Sequence, residues 1–183
     1  MISGPSGAGK GTLISRILEQ SDDFVVATSA TTRRRREGEV DGREYYFLDD
    51  EEFQRRVDRN EFLEHVSFAG GRYGTLREEV DRLLATGRDV ILELEVDGAF
   101  GVRRRRPGTL LVFIDPPSFE DLERRLRERA TDSAGEISTR LEIAREQLEA
   151  RDLFDIVIVN DDRDRAAREL LAMLGTVPTE GNR

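Results

Sequence analysis

The sequence predicts a three-layer α/β/α fold: a parallel core sheet covered by helices on both faces, with a mixed β lobe inserted into it. Three observations predict it. Short apolar runs alternate with amphipathic segments along most of the 183 residues, the rhythm of strand–helix–strand units. A glycine-rich turn, Gly4-Pro5-Ser6-Gly7-Ala8-Gly9-Lys10-Gly11-Thr12, stands between the first apolar residues and a helical repeat. From about Arg33 to Thr75 the rhythm breaks into consecutive short strands. The expected division is therefore a core of residues 1–32 and 76–183, an inserted lobe of 33–75, and a mobile lid at about 126–140.

Each element has a local reason. Only Met1, Ile2 and Ser3 precede Gly4, so the first strand is stunted or the chain starts further upstream. Thr12 to Glu19 places Leu13, Ile14, Ile17 and Leu18 at helical spacing, which predicts one buried face. Phe24 to Ala27 is a short strand, and Glu44 to Leu48 reads as another from its aromatic content. Asp49-Asp50-Glu51-Glu52 is an acidic helix start, because carboxylates favour the positive end of the helix dipole. Phe62 to Phe68 is a strand, and Leu76 to Ala85 an amphipathic helix stopped by Gly87.

Asp89 to Val96 and Thr109 to Ile114 read as buried strands. Pro116-Pro117-Ser118 ends the second and opens a helix from Phe119 to about Arg129. Ala130 to Gly135 reads as a mobile polar loop, Glu136 to Arg151 as a helix, Phe154 to Val159 as the last strand, and Arg163 to Leu174 as the closing helix. Thr176 to Arg183 has no apolar anchor and is expected to fray. Arg103 to Arg106, before Pro107-Gly108, reads as a solvated turn.

Composition narrows the function. There is no cysteine, which removes disulfide frameworks and thiolate metal sites. No apolar run approaches a membrane span and no signal-peptide pattern opens the chain, so the default location is the cytoplasm. The net charge of −9 argues against nucleic acid as a main partner. It also means that any anionic ligand must be met by local positive charge.

Lys10 is the only lysine; every other long cation is arginine. Its spacing, Gly-x4-Gly-Lys, is that of a nucleotide phosphate loop. Glycines let successive N–H groups turn toward phosphate oxygens, and a compact ammonium can follow a moving phosphoryl group better than a planar guanidinium. The hydroxyl that often ligates Mg²⁺ directly after the lysine is replaced by Gly11, with Thr12 one place later. These residues predict a P-loop protein acting on a nucleoside triphosphate, with Gly4 to Thr12 as its ATP-binding segment.

Several further segments carry a resemblance. They are Ser29-Ala30-Thr31-Thr32-Arg33-Arg34-Arg35-Arg36-Glu37-Gly38-Glu39, Gly42-Arg43-Glu44-Tyr45-Tyr46-Phe47, Phe62-Leu63-Glu64-His65 and Gly70-Gly71-Arg72-Tyr73-Gly74-Thr75. Ile91 to Ala99, Phe113 to Ser118 and Val157 to Asp162 extend it over nearly the whole chain, in order. Together they resemble the guanylate kinase family. The resemblance implies transfer of the γ-phosphoryl group of ATP to GMP with Mg²⁺, and makes the 33–75 lobe the GMP-binding one.

It also implies residue roles. Arg33 and Arg36 would bind the acceptor phosphate with Tyr45 and Tyr73; Arg34 and Arg35 would be solvated. Glu64 would read guanine, with Ser29 and Thr75 supplying hydroxyls around the base. Relatives commonly carry aspartates where this chain has Glu93 and Glu95. Glu95 would contribute to guanine contact and Glu93 would lie near metal and phosphates; the other reading of both is a salt-bridged strand end. Arg125, Arg129 and Arg140 would close over the ATP phosphates with Lys10 and Arg36 as the catalytic charges. Thr12 and Glu93 are the possible metal contacts.

His65, the single histidine, is expected to pack beside the base-binding strand. It is not needed as a base, because positioning and charge carry phosphoryl transfer. Two alternatives remain at this stage: a non-enzymatic module of the same family that binds phosphopeptides, and a kinase of another phosphate acceptor.

Overall fold

The computed structural model describes residues 1–68, 70–128 and 134–176. The strands are β1 (Ile2–Ser3), β2 (Phe24–Val26), β3 (Ala30–Thr31), β4 (Tyr46–Phe47), β5 (Phe62–Phe68), β6 (Gly71–Leu76), β7 (Asp89–Ile91), β8 (Val112–Asp115) and β9 (Ile156–Val159). The helices are α1 (Lys10–Gln20), α2 (Asp50–Asp58), α3 (Arg77–Leu84), α4 (Val96–Arg105), α5 (Phe119–Glu128), α6 (Ala134–Glu149) and α7 (Arg163–Thr176). A 3-10 turn, Arg151–Leu153, leads into β9. The chain divides into two compact units. One comprises Met1–Ser21, Glu93–Ala99 and Gly108–Arg183; the other comprises Asp22–Leu92 and Phe100–Pro107.

In the first unit β1, β8 and β9 form a parallel sheet with β8 central. Its inner strand is buried along its length, because a parallel sheet with helices on its faces leaves no side for polar residues. Leu13, Ile14 and Ile17 are buried as the spacing predicts, but Leu18 is 38 % exposed. Leu122 and Leu126 of α5 pack with Ala144 of α6, flanked by Phe119 and Leu141.

In the second unit β2 pairs with β7 in parallel. A separate four-stranded sheet runs β4-β3-β6-β5, with β3–β4 parallel and the other pairs antiparallel. This is the mixed β structure expected of the segment that breaks the strand–helix rhythm. Its core is Ala30, Phe53 and Phe62, with Tyr46, Leu48, Val57 and Leu76 against it. The Phe53 and Phe62 rings stack with centroids 4.5 Å apart. The acidic helix start holds as read: the Asp49 carboxylate accepts from the Glu52 amide at 2.7 Å and caps α2.

Several boundaries differ from the sequence reading. The aromatic strand shrinks to Tyr46–Phe47. Arg103, Arg104 and Arg105 form the last turn of α4 rather than a loop, and Arg104 and Arg105 are solvated as read; three cations there suit the negative end of the helix dipole. α6 ends at Glu149, and Arg151 belongs to the 3-10 turn. The expected loop and lid overlap residues 129–133, and the expected frayed tail overlaps 177–183; both spans lie outside the described residues. Among the described residues no helix is long and apolar enough to cross a membrane.

Candidate active site

The phosphate loop is built from backbone constraints. β1 pairs with β8 at Ile2–Val112 and Ser3–Phe113, and the chain then turns at Gly4 with φ 138°. A Cβ at Gly4 would strike the Ile114 carbonyl oxygen. Gly7 has φ 91°, and a Cβ there would press on Leu122 at 3.0 Å and on Leu126 at 3.3 Å. Gly9, at φ 92°, is the left-handed residue that opens α1. No side chain caps that helix start, so amides of its first turn are available to an anion.

The Gly4→Ala variant is expected to lose about 3 kcal/mol of stability, since both backbone strain and a carbonyl clash act at one position. That corresponds to a melting temperature lower by roughly 6–12 °C for a chain of this size. A melting temperature equal to the parent's would refute the described turn.

Lys10 is only 9 % exposed. Its Nζ donates to Gly4 O at 2.6 Å and Pro5 O at 3.3 Å, so the ammonium lies over the loop that precedes it. Asn160 secures the loop from the far end of the chain. Its Nδ2 donates to Ala8 O at 2.6 Å, and it occupies the space a Gly9 side chain would need. The Asn160 amide N donates to Asp115 O at 2.8 Å, and its carbonyl accepts from Arg125 Nη2 at 2.9 Å. Arg125 is thereby held beside the phosphate loop.

Thr12 is exposed on the first turn of α1. Glu93 is exposed, with Oε2 3.7 Å from where a Gly11 Cβ would sit. Glu95 accepts a hydrogen bond from Gln147 of α6, so the longer carboxylate contacts the helix that carries Arg140. Arg140 is half-buried, and Arg129 lies outside the described residues. Among the described residues no three carboxylates or histidines converge on one point. A carboxylate and a hydroxyl beside a phosphate loop suit Mg²⁺, which keeps most of its shell as water and phosphate oxygen.

The second unit carries an arginine cradle and a buried carboxylate. Arg33 makes a forked pair with Glu39, Nη2 to Oε1 at 2.7 Å and Nη1 to Oε2 at 3.0 Å. Its guanidinium also stands 5.3 Å over the Tyr45 ring, and the Tyr45 and Tyr73 rings meet edge-on at 6.1 Å. The Glu39 carboxylate accepts from the Arg36 amide at 2.7 Å, which curls the arginine run back on itself and leaves the Arg36 side chain exposed. Hydrogen bonding from Arg33, then from the Arg36 amide, holds Glu39 down to about 2. A lowered carboxylate pKa means the pair contributes above the ordinary value of 4.5 and is lost as pH falls through about 2. An NMR titration of the Glu39 side chain is expected to show that midpoint; a midpoint near 4.5 would mean the fork is open in solution.

Glu64 is 6 % exposed and accepts from Thr75 Oγ1 at 2.9 Å. Burial raises its pKa, opposed by the Thr75 bonds and the Arg105 charge. The Ser29 carbonyl accepts from Tyr46 N at 2.9 Å, tying the Ser29 backbone to β4. His65 lies edge-on to Phe53 and Phe62 at 6.4 and 6.1 Å. His65 itself is exposed on β5; partial burial of its ring, then Arg72 and Arg105, lowers its pKa and favours the neutral form.

Four residues of the surroundings escaped the sequence reading as position-holders: Asn160, Gln147, Arg105 and Glu79. Buried Glu79 accepts from Tyr46 Oη at 3.1 Å, Arg82 at 2.8 Å and the Thr28 amide at 3.4 Å. Apart from the i,i+3 pair of Glu79 with Arg82, their partners lie far along the chain.

Comparison with known proteins agrees with these two assemblies. The family model described as guanylate kinase matches residues 1–176. A guanylate kinase of Synechococcus sp. (strain JA-3-3Ab) is 47 % identical over 174 residues, covering 95 % of this chain and 80 % of the relative. One of Rubrobacter xylanophilus is 44 % identical over 182 residues, covering 100 % of this chain and 95 % of the relative. The crystal structure of guanylate kinase from Anaplasma phagocytophilum superimposes with a TM-score of 0.78 at 31 % identity, covering 97 % of this chain and 85 % of that one. With a glycine–lysine phosphate loop in one unit, a buried glutamate and arginine cradle in the other, and a family match across nearly its whole length, the chain belongs to the guanylate kinase family.

Proposed function

We propose that the chain transfers the γ-phosphoryl group of ATP to GMP, giving ADP and GDP. The observation that carries this reading is the buried Glu64 carboxylate, whose hydroxyl partner is the neutral Thr75. A buried carboxylate is costly unless donors reach it. Guanine presents two adjacent donors, N1–H and N2–H₂, that match its two oxygens. Adenine offers an acceptor at N1, so it leaves both that nitrogen and the carboxylate unpaired, and unmade buried bonds discriminate strongly.

In this reading the lobe 33–75 is the acceptor lobe. Arg33, Arg36, Tyr45 and Tyr73 bind the GMP phosphate through paired and single donors. Ser29 and Thr75 hold the base with Glu64, and Glu95 assists. The amides of Gly4 to Thr12 hold the ATP phosphates, and Lys10 follows the transferring group. Arg125, Arg129 and Arg140 spread positive charge over a transition state whose own charge is spread over equatorial oxygens. Mg²⁺, when bound with ATP, neutralises β- and γ-phosphate charge; Thr12 and Glu93 are the residues placed to touch it or its water shell. The acceptor phosphate is already ionised near neutral pH, so no general base is required. The reaction belongs to a soluble cytoplasmic enzyme with small-molecule partners and no nucleic acid.

The test is a coupled assay with ATP, Mg²⁺ and a panel of GMP, AMP, IMP, CMP and UMP. Turnover selective for GMP is expected. Equal turnover of AMP would overturn the assignment of Glu64, and silence with every acceptor would favour the phosphopeptide-binding alternative.

A further inference from the structure

The pairing of β5 with β6 slips one residue next to the proposed base reader. Phe62 faces Leu76, and Glu64 faces Thr75. Leu63 is therefore an extra residue, a β-bulge that bends the strand and leaves Leu63 outside the paired register. Phe62, Leu63 and Glu64 are all buried, so the strand is covered on both faces at the bulge. The bulge turns Glu64 inward, and it costs something: a carbonyl at a bulge needs a donor from elsewhere.

α4 supplies it. Gly101 and Arg105 are one helical turn apart and share a face. α4 runs past Glu64 at Gly101, where an added Cβ would stand in ordinary contact, 3.8 Å from the Glu64 Cβ. One turn on, Arg105 Nη1 donates to Leu63 O and reaches Phe62 O at 3.4 Å. The positive charge of Arg105 also acts on Glu64, opposing the larger effect of burial. The remaining neighbours are Thr75 from β6, neutral; Arg104 beside Gly101; and His65, whose neutral form is favoured.

We propose that Arg105 is a positioning residue for guanine recognition: it closes the bulge at Leu63, fixes the direction of Glu64 and brings a positive charge to that side of the strand. The inference rests on Glu64 reading the base. It makes one exposed member of the arginine run part of the specificity apparatus.

The test compares the parent with Arg105→Met and Arg105→Lys by KM for GMP, KM for ATP, pH dependence of KM for GMP, and melting temperature. For Arg105→Met the expected result is a KM for GMP raised about tenfold with the KM for ATP changed by less than about twofold, since only one substrate loses a partner. The acid limb of the GMP profile moves to higher pH, because Glu64 gains its proton more readily without the countercharge. Arg105→Lys restores the position of that limb. Equal rises in both KM values, or an unmoved acid limb, would overturn the proposal and leave Arg105 a structural residue. Selective use of GMP by the parent, measured in the same series, separates failure of this inference from failure of the function itself.

Discussion

Lys10→Ala is expected to abolish phosphoryl transfer, with kcat lower by about 10³ or more, while the fold persists. The size follows from where the ammonium lies. It is buried, it is the only lysine, and it is held by Gly4 O and Pro5 O over the loop that the donor phosphates would occupy. An incoming phosphate offers the same ammonium an anionic acceptor in place of neutral carbonyls, and charge-assisted bonds are the stronger ones. Lys10→Arg should recover little, since a planar fork neither fits the enclosed site nor follows a moving group. Turnover is read by coupled assay and folding by circular dichroism and thermal melting. Near-normal turnover in a folded Lys10→Ala protein would sink the mechanism.

The second large effect is expected at Glu64→Gln. The amide presents one acceptor and one donor to two guanine donors, so one bond is lost and one repulsive contact is formed. Bonds to a charged partner are worth about 1.5–3 kcal/mol, which predicts a KM for GMP raised roughly 10- to 100-fold with little change for ATP. Stability should move the other way. Burial raises the Glu64 pKa, so its contribution to folding is fullest below the unfolded pKa and declines as pH rises through the folded one. At neutral pH the ionised carboxylate is a cost that Gln does not carry, and the variant should melt at or above the parent's temperature. An unchanged KM for GMP would place guanine recognition elsewhere in the chain.

The parts of this molecule that were legible in advance are those whose cause is local. Glycines at 4, 7 and 9 announce positive backbone angles, and Asp49 announces a helix start through a bond three residues away. The apolar spacing of Leu13, Ile14 and Ile17 announces a buried face. The lobe was visible because consecutive strands break a regular alternation. What stayed hidden depends on partners remote along the chain. Asn160 meets Ala8 across 152 positions, and Arg105 meets Leu63 across 42. An arginine run reads as solvated surface until a bulged strand is found beneath one of its members. Glu95 reads as a strand-end charge until Gln147 of α6 is placed against it.

The bond between Asn160 and Ala8 has a consequence for the birth of the protein. The glycine-rich loop is synthesised 152 residues before the amide that pins it. β1 likewise lacks its neighbour β8 until residue 112 has been made. At about 5–20 residues per second, the nascent loop waits many seconds without its clasp. A half-made chain therefore carries this loop unpinned, and its final shape waits for β9 to dock.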